Sequence, residues 1–159
     1  MTEAHENNSK RYIIIGAGIA GVSAAEAIHQ SDPDAEITLI SNENVPPYFR
    51  MNLTRYLAGE LDASKLVLHS PDWYPQNHIN LLLNTTATGL LLEEKQVILS
   101  DGSAVPYDTL ILTTGAAPFV PPFPGTGLKG VQTLRTLHDA NTILKACHQP
   151  IHVVCIGGG

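Results

Sequence analysis

The sequence predicts an α/β protein in which a parallel sheet carries helices and a small antiparallel sheet is inserted. Apolar, mostly β-branched runs at 12–15, 36–40 and 109–113 have the composition of strands that are buried on both faces, as in a parallel sheet. An alanine-rich stretch at 19–30 separates the first two runs and favours a helix. Residues 80–107 contain shorter extended runs between polar turns, which is typical of antiparallel hairpins.

The first predicted strand ends in a glycine-rich turn. Gly16, Gly18 and Gly21 have the spacing G-x-G-x-x-G between a predicted strand and a predicted helix, the context in which this motif binds dinucleotides. Gly16 permits the tight turn, Gly18 lets a pyrophosphate approach the backbone, and Gly21 lets the helix pack closely on the strand. The predicted phosphate-binding turn also includes the residues between the glycines, Ala17, Ile19 and Ala20. The alternative is a glycine-rich turn in an ordinary βα unit.

The second predicted strand is followed by polar residues that suit a ribose. An acidic residue about 20 residues after the glycine motif accepts hydrogen bonds from the ribose hydroxyls in many dinucleotide-binding proteins. Glu43 is the candidate here, with a small displacement from the usual place, and the predicted site includes its neighbours Ser41 and Asn42. The alternative for Glu43 is an ordinary solvated carboxylate.

Composition excludes several classes of function. The net charge is −6, with Lys+Arg 9 and Asp+Glu 15, which argues against a nucleic-acid surface. No apolar run approaches the ~20 residues that span a bilayer, and the polar residues 1–10 are expected to be a disordered arm rather than a signal peptide. Cys147 and Cys155 form no C-x-x-C pair, which favours a reduced, cytoplasmic setting. His29 and His138 have no ligand partner at useful spacing, so no metal site is predicted.

Shorter elements are predicted between the main strands. A helix is expected over 53–58, and a second from 70–72, with Ser70 as its cap. Thr136 is expected to begin a third helix, with Asp139 three residues on in a capping-box-like arrangement.

An inserted antiparallel meander is predicted from three extended runs, at 80–83, 87–92 and 96–99. Asp101-Gly102 is a strong signal for a hairpin turn after the third run.

Glycines also follow two later predicted strands. The run 109–113 leads directly into Thr114, Gly115 and Ala116, at the end of the sheet where such folds bind nucleotides. The run 151–156 leads into Gly157, Gly158 and Gly159, in which the first and third have the spacing of the first two glycines of the motif. This pattern predicts the first strand and glycine turn of a second dinucleotide-binding domain, and the alternative is a flexible glycine tail.

Together these motifs resemble the two-dinucleotide-binding-domain flavoproteins of the pyridine nucleotide-disulfide oxidoreductase superfamily. The resemblance implies a Rossmann-like FAD-binding domain at 11–149 and the start of a truncated NAD(P)-binding domain at 150–159. It implies that FAD lies on the first glycine motif, that residues 114–116 border the flavin, and that NAD(P)H lies on the motif at 157–159. The backbone that lies against the adenine corresponds to residues 85–87, which include Thr86 and Ala87.

One segment indicates a branch of this superfamily. Residues 47–53 resemble the Y-x-[KR]-P-x-L segment of rubredoxin, ferredoxin and nitrite reductase flavin subunits, although Met51 stands in place of the proline. The resemblance implies that Arg50 lies near the isoalloxazine ring, where a cation stabilises the reduced, anionic flavin. The alternative for Arg50 is an ordinary surface arginine. No cysteine precedes Cys147, whereas the disulfide reductases carry a redox-active cysteine near the flavin.

The resemblance implies the FAD-binding part of an NAD(P)H-dependent flavoprotein oxidoreductase, inactive as an isolated fragment. Its electron acceptor would be an iron-containing partner, either a rubredoxin, a ferredoxin or a fused nitrite reductase module. No covalent nucleophile is needed, so no catalytic side chain is predicted. Two alternatives stay open, a nucleotide-binding sensor or interaction domain without turnover, and a single-cofactor NAD-binding Rossmann protein. A homodimer is compatible with the sequence, and neither nucleic acid nor membrane is expected as a partner.

Overall fold

The structure is a computed structural model that describes residues 9–149 and 151–157. Within these residues the chain divides into two units. The first, which we call the sheet unit, contains the chain up to Phe49 and Val67–Gly115. The second, which we call the helical unit, contains Arg50–Leu66 and the chain from Ala116 onwards. Residues 1–8, Pro150, Gly158 and Gly159 lie outside the described residues, so the predicted arm falls almost entirely outside them.

A four-stranded parallel sheet forms the centre of the sheet unit. Its strands are β1 (Arg11–Ile15), β2 (Glu36–Ile40), β3 (Ile79–Leu82) and β7 (Thr109–Leu112), and their order in the sheet is β3-β2-β1-β7. Helix α1, Ile19–Ser31, connects β1 to β2. The predicted α/β class and the parallel pairing of the apolar runs are confirmed.

A three-stranded antiparallel sheet is inserted between β3 and β7. Its strands are β4 (Ala87–Leu91), β5 (Gln96–Leu99) and β6 (Ala104–Pro106). Gly102 has a φ of +84° in the turn between β5 and β6, so the hairpin predicted from Asp-Gly is confirmed.

The prediction that residues 80–83 begin this meander is wrong. They belong to β3, which pairs in parallel with β2, and Ile79 lies opposite Ile37. The periodicity of a short apolar run does not distinguish a parallel partner from an antiparallel one. The position of the neighbouring strand in the folded chain decides it.

Burial on both faces explains the apolar composition of the central strands. On one face, Ile14 of β1 and Leu39 of β2 are fully buried in a cluster with residues of α1. On the other face, Ile13 and Ile40 pack with Val97 of the inserted sheet. Successive residues of a strand point to opposite faces, so two covered faces require an uninterrupted apolar run.

An ion pair joins β1 to the residue before β7. The Asp108 carboxylate accepts hydrogen bonds from the Arg11 backbone amide at 2.8 Å and from its guanidinium Nε and Nη2 at 3.1 and 2.9 Å. These bonds, led by those from the side chain, hold the pKa of Asp108 well below its usual value. The pair lies at the amino ends of the strands, opposite to the edge where the glycine turn begins.

Helices α2 and α4 form the helical unit together with two 3-10 helical turns. α2 is Leu53–Leu57 and α4 is Leu137–Ala146, and the turns are Arg50–Asn52 and Ala63–Lys65. The two helices pack together, and the Tyr56 hydroxyl donates a hydrogen bond to Asn141 Oδ1 at 2.7 Å. The predicted positions of both helices are confirmed.

The short helix α3, Trp73–Gln76, belongs to the sheet unit. Asp72 occupies its N-cap position and makes no side-chain capping bond. The Ser70 carbonyl accepts the Trp73 amide at 3.0 Å, but no side chain caps this helix, so the predicted side-chain cap by Ser70 is wrong. The helix begins at Trp73, so Ser70 lies two residues before the N-cap position, which Asp72 occupies.

The strand predicted at 151–156 is not formed in the structure. The described residues 151–157 have no regular secondary structure and are exposed. A strand needs a neighbouring ladder to satisfy its backbone, and no described strand pairs with this segment. Whether the segment belongs to a second dinucleotide-binding domain therefore stays a prediction.

Candidate dinucleotide-binding site

The carboxyl ends of the parallel strands meet at one edge of the sheet. From β1 the chain proceeds to β2 on one side, whereas β7 lies on the other side of β1. The order of the strands thus reverses between β1 and β7, and open α/β sheets bind their ligands at such a switch point. The glycine turn leaves β1 and residues 113–115 leave β7, so both segments border it.

Gly16 must be glycine for two reasons. Its φ is +109°, a conformation that L side chains rarely adopt. A Cβ atom there would lie 2.2 Å from the Thr113 carbonyl oxygen, which is a severe clash with backbone. The Gly16 amide donates a hydrogen bond to the Ile40 carbonyl at 2.9 Å, and this bond ties the turn to the end of β2.

Gly21 is buried where α1 meets the turn. A Cβ atom on Gly21 would lie 2.0 Å from the Gly16 carbonyl oxygen and 2.9 Å from Thr113 Oγ1. The close packing of helix and turn therefore depends on this glycine, as the sequence predicted.

Gly18 differs from both. Its φ and ψ are −79° and −174°, an extended conformation open to any residue, and an added Cβ would meet no atom within 4 Å. Nothing in the described part of the protein requires glycine here for steric reasons. Open space beside the backbone is the property that a closely approaching phosphate group requires.

The amino end of α1 lies beside this space. Gly18 is the N-cap residue, no side chain caps the helix, and its first turn contains no acidic residue. The first intrahelical bond is donated by Val22 to the Gly18 carbonyl at 3.0 Å. The amides of the first helical residues, Ile19 and Ala20, therefore lack intrahelical acceptors, and the positive end of the helix dipole can attract an anion.

The polar residues after β2 lie beside the segment after β3. The Ser41 carbonyl accepts the Thr85 amide at 2.8 Å, and the Glu43 carbonyl accepts the Asn84 amide at 2.9 Å. Ser41 is buried, whereas Asn42 is exposed. The structure thus brings together the residues predicted for the ribose and those predicted for the adenine.

Thr86 and Ala87 continue this segment into the inserted sheet. The Thr86 amide donates to Ser100 Oγ at 3.3 Å, and Ala87 is the first residue of β4. Their backbone is thereby fixed at the same edge as Ser41.

Glu43 is oriented by a residue that the sequence analysis did not select. The buried Tyr48 hydroxyl donates a hydrogen bond to Glu43 Oε2 at 2.7 Å. A carboxylate has about four acceptor positions, so the bond from Tyr48 by itself does not use up the acceptor capacity of this side chain. The sequence signal for this contact is the position of Tyr48, a hydroxyl-bearing aromatic residue five positions after Glu43.

Thr113 is a second residue that the sequence analysis did not select. Its hydroxyl lies 2.7 Å from the Gly16 carbonyl oxygen. The sequence signal is weak, because Thr113 ends an apolar run that predicts a strand, whereas β7 ends one residue earlier, at Leu112. The next two residues, Thr114 and Gly115, are exposed at the carboxyl end of β7.

The remaining predicted residues belong to the helical unit. Arg50 lies in a 3-10 helical turn, and its guanidinium Nη1 donates to the Arg135 carbonyl at 3.1 Å. Ala116 and Gly157 are exposed, and Gly157 has a φ of +100°. Gly159 lies outside the described residues.

Neither a metal centre nor a membrane span is found in the described ranges 9–149 and 151–157. No three His, Cys, Asp or Glu side chains converge there in a way that could hold a metal ion. None of the helices in those ranges has both the length and the apolar character needed to cross a bilayer.

The chain matches a known protein family and is similar in sequence to proteins of named activity. Residues 10–159 match the family model described as pyridine nucleotide-disulphide oxidoreductase. The chain is 39% identical over 151 residues to a nitrite reductase (NAD(P)H) of Bacillus subtilis (strain 168), covering 94% of this chain and 19% of the relative. It is 38% identical over 158 residues to a putidaredoxin reductase of Pseudomonas putida, covering 96% of this chain and 37% of the relative.

Solved structures agree with the sequence comparison. The crystal structure of the covalent putidaredoxin reductase-putidaredoxin complex matches with a TM-score of 0.78 and 37% identity, over 87% of this chain and 34% of the other. The chain spans 19% of the length of the nitrite reductase and 37% of the length of the putidaredoxin reductase described above.

Proposed function

The chain belongs to the pyridine nucleotide-disulphide oxidoreductase family, and on this basis we propose that it binds FAD as part of an NAD(P)H-dependent flavoprotein oxidoreductase. The observation that carries the proposal is the glycine turn. Gly16 and Gly21 are required by the packing of the protein itself, whereas Gly18 borders open space at the amino end of α1. That combination fits a dinucleotide pyrophosphate.

The residues around the turn fit the rest of the cofactor. The backbone amides between Gly16 and Gly21 would hold the pyrophosphate, and Glu43 would accept hydrogen bonds from the ribose. The remaining proposed contacts are Ser41, Asn42, Thr86 and Ala87 on the adenosine side, and Arg50, Thr114, Gly115 and Ala116 on the flavin side. The chemistry that bound FAD supplies is the link between hydride transfer and one-electron transfer.

A second nucleotide site is proposed for the end of the chain. Residues 150–159 would supply the first strand and glycine turn of an NAD(P)-binding domain, with Gly157 and Gly159 facing the cofactor. Support comes from the strand-like sequence before the glycines and from the family match, which extends through residue 159.

The proposed electron acceptor is an iron-containing redox protein or module. The names of the relatives support this class, since one is a nitrite reductase and another reduces putidaredoxin. We propose no redox disulfide in this chain, because its two cysteines, Cys147 and Cys155, are both exposed and free.

Titration of the 159-residue chain with FAD tests the cofactor assignment. We expect FAD to bind at one molecule per chain with quenching of flavin fluorescence, and ADP to compete because it shares the pyrophosphate and adenosine. A chain that binds NADH but not FAD would support a single-cofactor protein instead. Anaerobic bleaching of the bound flavin by NADH or NADPH, measured on a protein that includes the complete NAD(P)-binding domain, tests the electron-transfer part. In that protein, a flavin that neither nucleotide reduces would support a non-catalytic sensor.

A further inference from the structure

The Thr113 side chain contacts the backbone of the glycine turn. Its hydroxyl oxygen lies 2.7 Å from the Gly16 carbonyl oxygen and 3.1 Å from the Ile15 carbonyl oxygen. The Ile15 carbonyl already accepts the Thr113 amide at 2.9 Å. A hydroxyl has one proton to donate, and the shorter distance assigns it to Gly16.

Gly16 is therefore held from two sides. Its amide donates to Ile40 at the end of β2, and its carbonyl accepts from Thr113 just after β7. The hydroxyl fits because residue 21 is glycine, since a Cβ there would come within 2.9 Å of Thr113 Oγ1.

The orientation of this carbonyl determines that of the next amide. The peptide bond between Gly16 and Ala17 is planar and trans, so its C=O and N–H groups point in opposite directions. A carbonyl held toward Thr113 turns the Ala17 N–H away from Thr113. Among residues 9–149 and 151–157, no acceptor is found for that amide.

We infer that Thr113 is a positioning residue for dinucleotide binding, which acts by fixing the Gly16–Ala17 peptide so that the Ala17 N–H can donate to the pyrophosphate. Its role rests on the proposed function, since a chain that binds no dinucleotide has no phosphate to receive this amide. Thr113 itself contacts only protein and acts through the turn.

Three variants of the 159-residue chain test this role by FAD titration. Thr113→Val keeps the shape of the side chain but removes the hydroxyl, and we expect a five- to tenfold weaker Kd for FAD because one hydrogen bond is lost. Thr113→Ser keeps the hydroxyl and should bind within about twofold of wild type. Thr109→Val makes the same chemical change at the other end of β7, away from the turn, and should bind like wild type.

A spectroscopic measurement on the free chain complements the titration. Loss of a hydrogen bond moves a carbonyl carbon resonance upfield, so the Gly16 carbonyl signal should move in Thr113→Val and stay in place in Thr109→Val. Equal FAD affinity of these two variants, or an unmoved Gly16 signal, overturns the role of Thr113 while FAD binding by wild type stands. A wild-type chain that binds no FAD overturns the proposed function and this inference together.

Discussion

Gly16, Gly18 and Gly21 occupy one turn but have three different surroundings. A side chain at Gly16 or Gly21 would collide with backbone atoms at 2.2 and 2.0 Å, so the protein needs these glycines in order to fold the turn. Gly18 has an ordinary conformation and open space beside it. Substitutions at the three positions should therefore separate folding from ligand binding.

The first prediction concerns Gly18→Val. The added side chain should occupy the space of the pyrophosphate, and we expect FAD affinity to fall at least about tenfold, with a stability loss of no more than about 1 kcal/mol from the altered helix cap. The measurements are an FAD titration and a thermal melt of the ligand-free chain. Gly127→Val is the control, because a Cβ there also meets nothing within 4 Å. Tight FAD binding by Gly18→Val would contradict the motif assignment.

The second prediction concerns Arg50→Ala, which we expect to lower the flavin reduction potential without abolishing FAD binding. Reduction adds negative charge to the flavin, and a cation about 5 Å away in an effective dielectric of about 20 contributes roughly 3 kcal/mol. Solvent should reduce this to about 1 kcal/mol, which corresponds to roughly 20 mV for a two-electron couple.

A redox titration of the FAD-loaded protein, in a form that includes the chain expected to complete the flavin site, measures the effect of Arg50→Ala. Arg50→Lys is the control, because lysine keeps the positive charge and should keep most of the potential. An unchanged or raised potential in Arg50→Ala would place this arginine away from the ring and leave it with its structural bond to the Arg135 carbonyl.

Among the elements, α4 has a complete capping box. Thr136 Oγ1 accepts the Asp139 amide at 3.1 Å, and Asp139 Oδ2 accepts the amides of Thr136 and Arg135 at 2.8 and 3.0 Å. Burial raises the pKa of Asp139, but the hydrogen bonds that its carboxylate accepts outweigh this and hold the pKa below its usual value. The ionised carboxylate therefore stabilises the start of the helix.

The third prediction concerns this cap and its pH dependence. Thr136→Ala should destabilise α4 by about 1 kcal/mol at neutral pH. The folded pKa of Asp139 is lowered, so its contribution is present above the unfolded value near 3.9 and is lost as the pH falls through the folded value. Asp139→Asn should therefore weaken hydrogen-exchange protection of α4 amides at pH 7, and this effect should diminish as the pH is lowered through the folded pKa.

A control for the cap is available in the short helix α3. Asp72 occupies the N-cap position there without a side-chain capping bond, so Asp72→Asn should change stability little at either pH. Equal effects of Asp139→Asn at neutral and acid pH would mean that its ionised form does not support the helix.

At the scale of the whole molecule, the distribution of cysteines bears on the chemistry. The family name includes disulphide reduction, yet the chain has no cysteine before Cys147, and both of its cysteines are exposed and free. The sheet unit therefore contains no thiol that could exchange electrons with a flavin.

The last prediction is that replacing both Cys147 and Cys155 with Ala, in a protein that includes the complete NAD(P)-binding domain, leaves flavin reduction by NADH or NADPH unchanged. Electrons should pass from the flavin to an external acceptor without a protein disulfide, so neither thiol is needed. Anaerobic reduction kinetics provide the measurement, and FAD titration shows that the variant still folds. A variant that binds FAD but is no longer reduced would point to disulfide chemistry.

The sequence by itself determined the main strands, α1, α4 with its cap, and the position of the glycine turn. These features depend on local physics. Burial on both faces selects a continuous apolar run such as β1, a capping box needs residues three apart such as Thr136 and Asp139, and the sharp turn after β1 needs glycine at Gly16. Each signal lies within a few neighbouring residues of the chain, so it can be recognised without knowledge of any tertiary contact.

Tertiary structure alone decided which distant segments meet. The 79–82 run became an edge strand of the parallel sheet because β2 lies beside it, and 151–156 formed no strand because no described strand pairs with it. The contacts that orient the candidate site, Tyr48 to Glu43 and Thr113 to Gly16, likewise depend on the folded chain. Thr113 lies 97 residues from Gly16 in the sequence. A hydrogen bond acts over about 3 Å in space whatever the separation along the chain, so local sequence patterns could not reveal that contact.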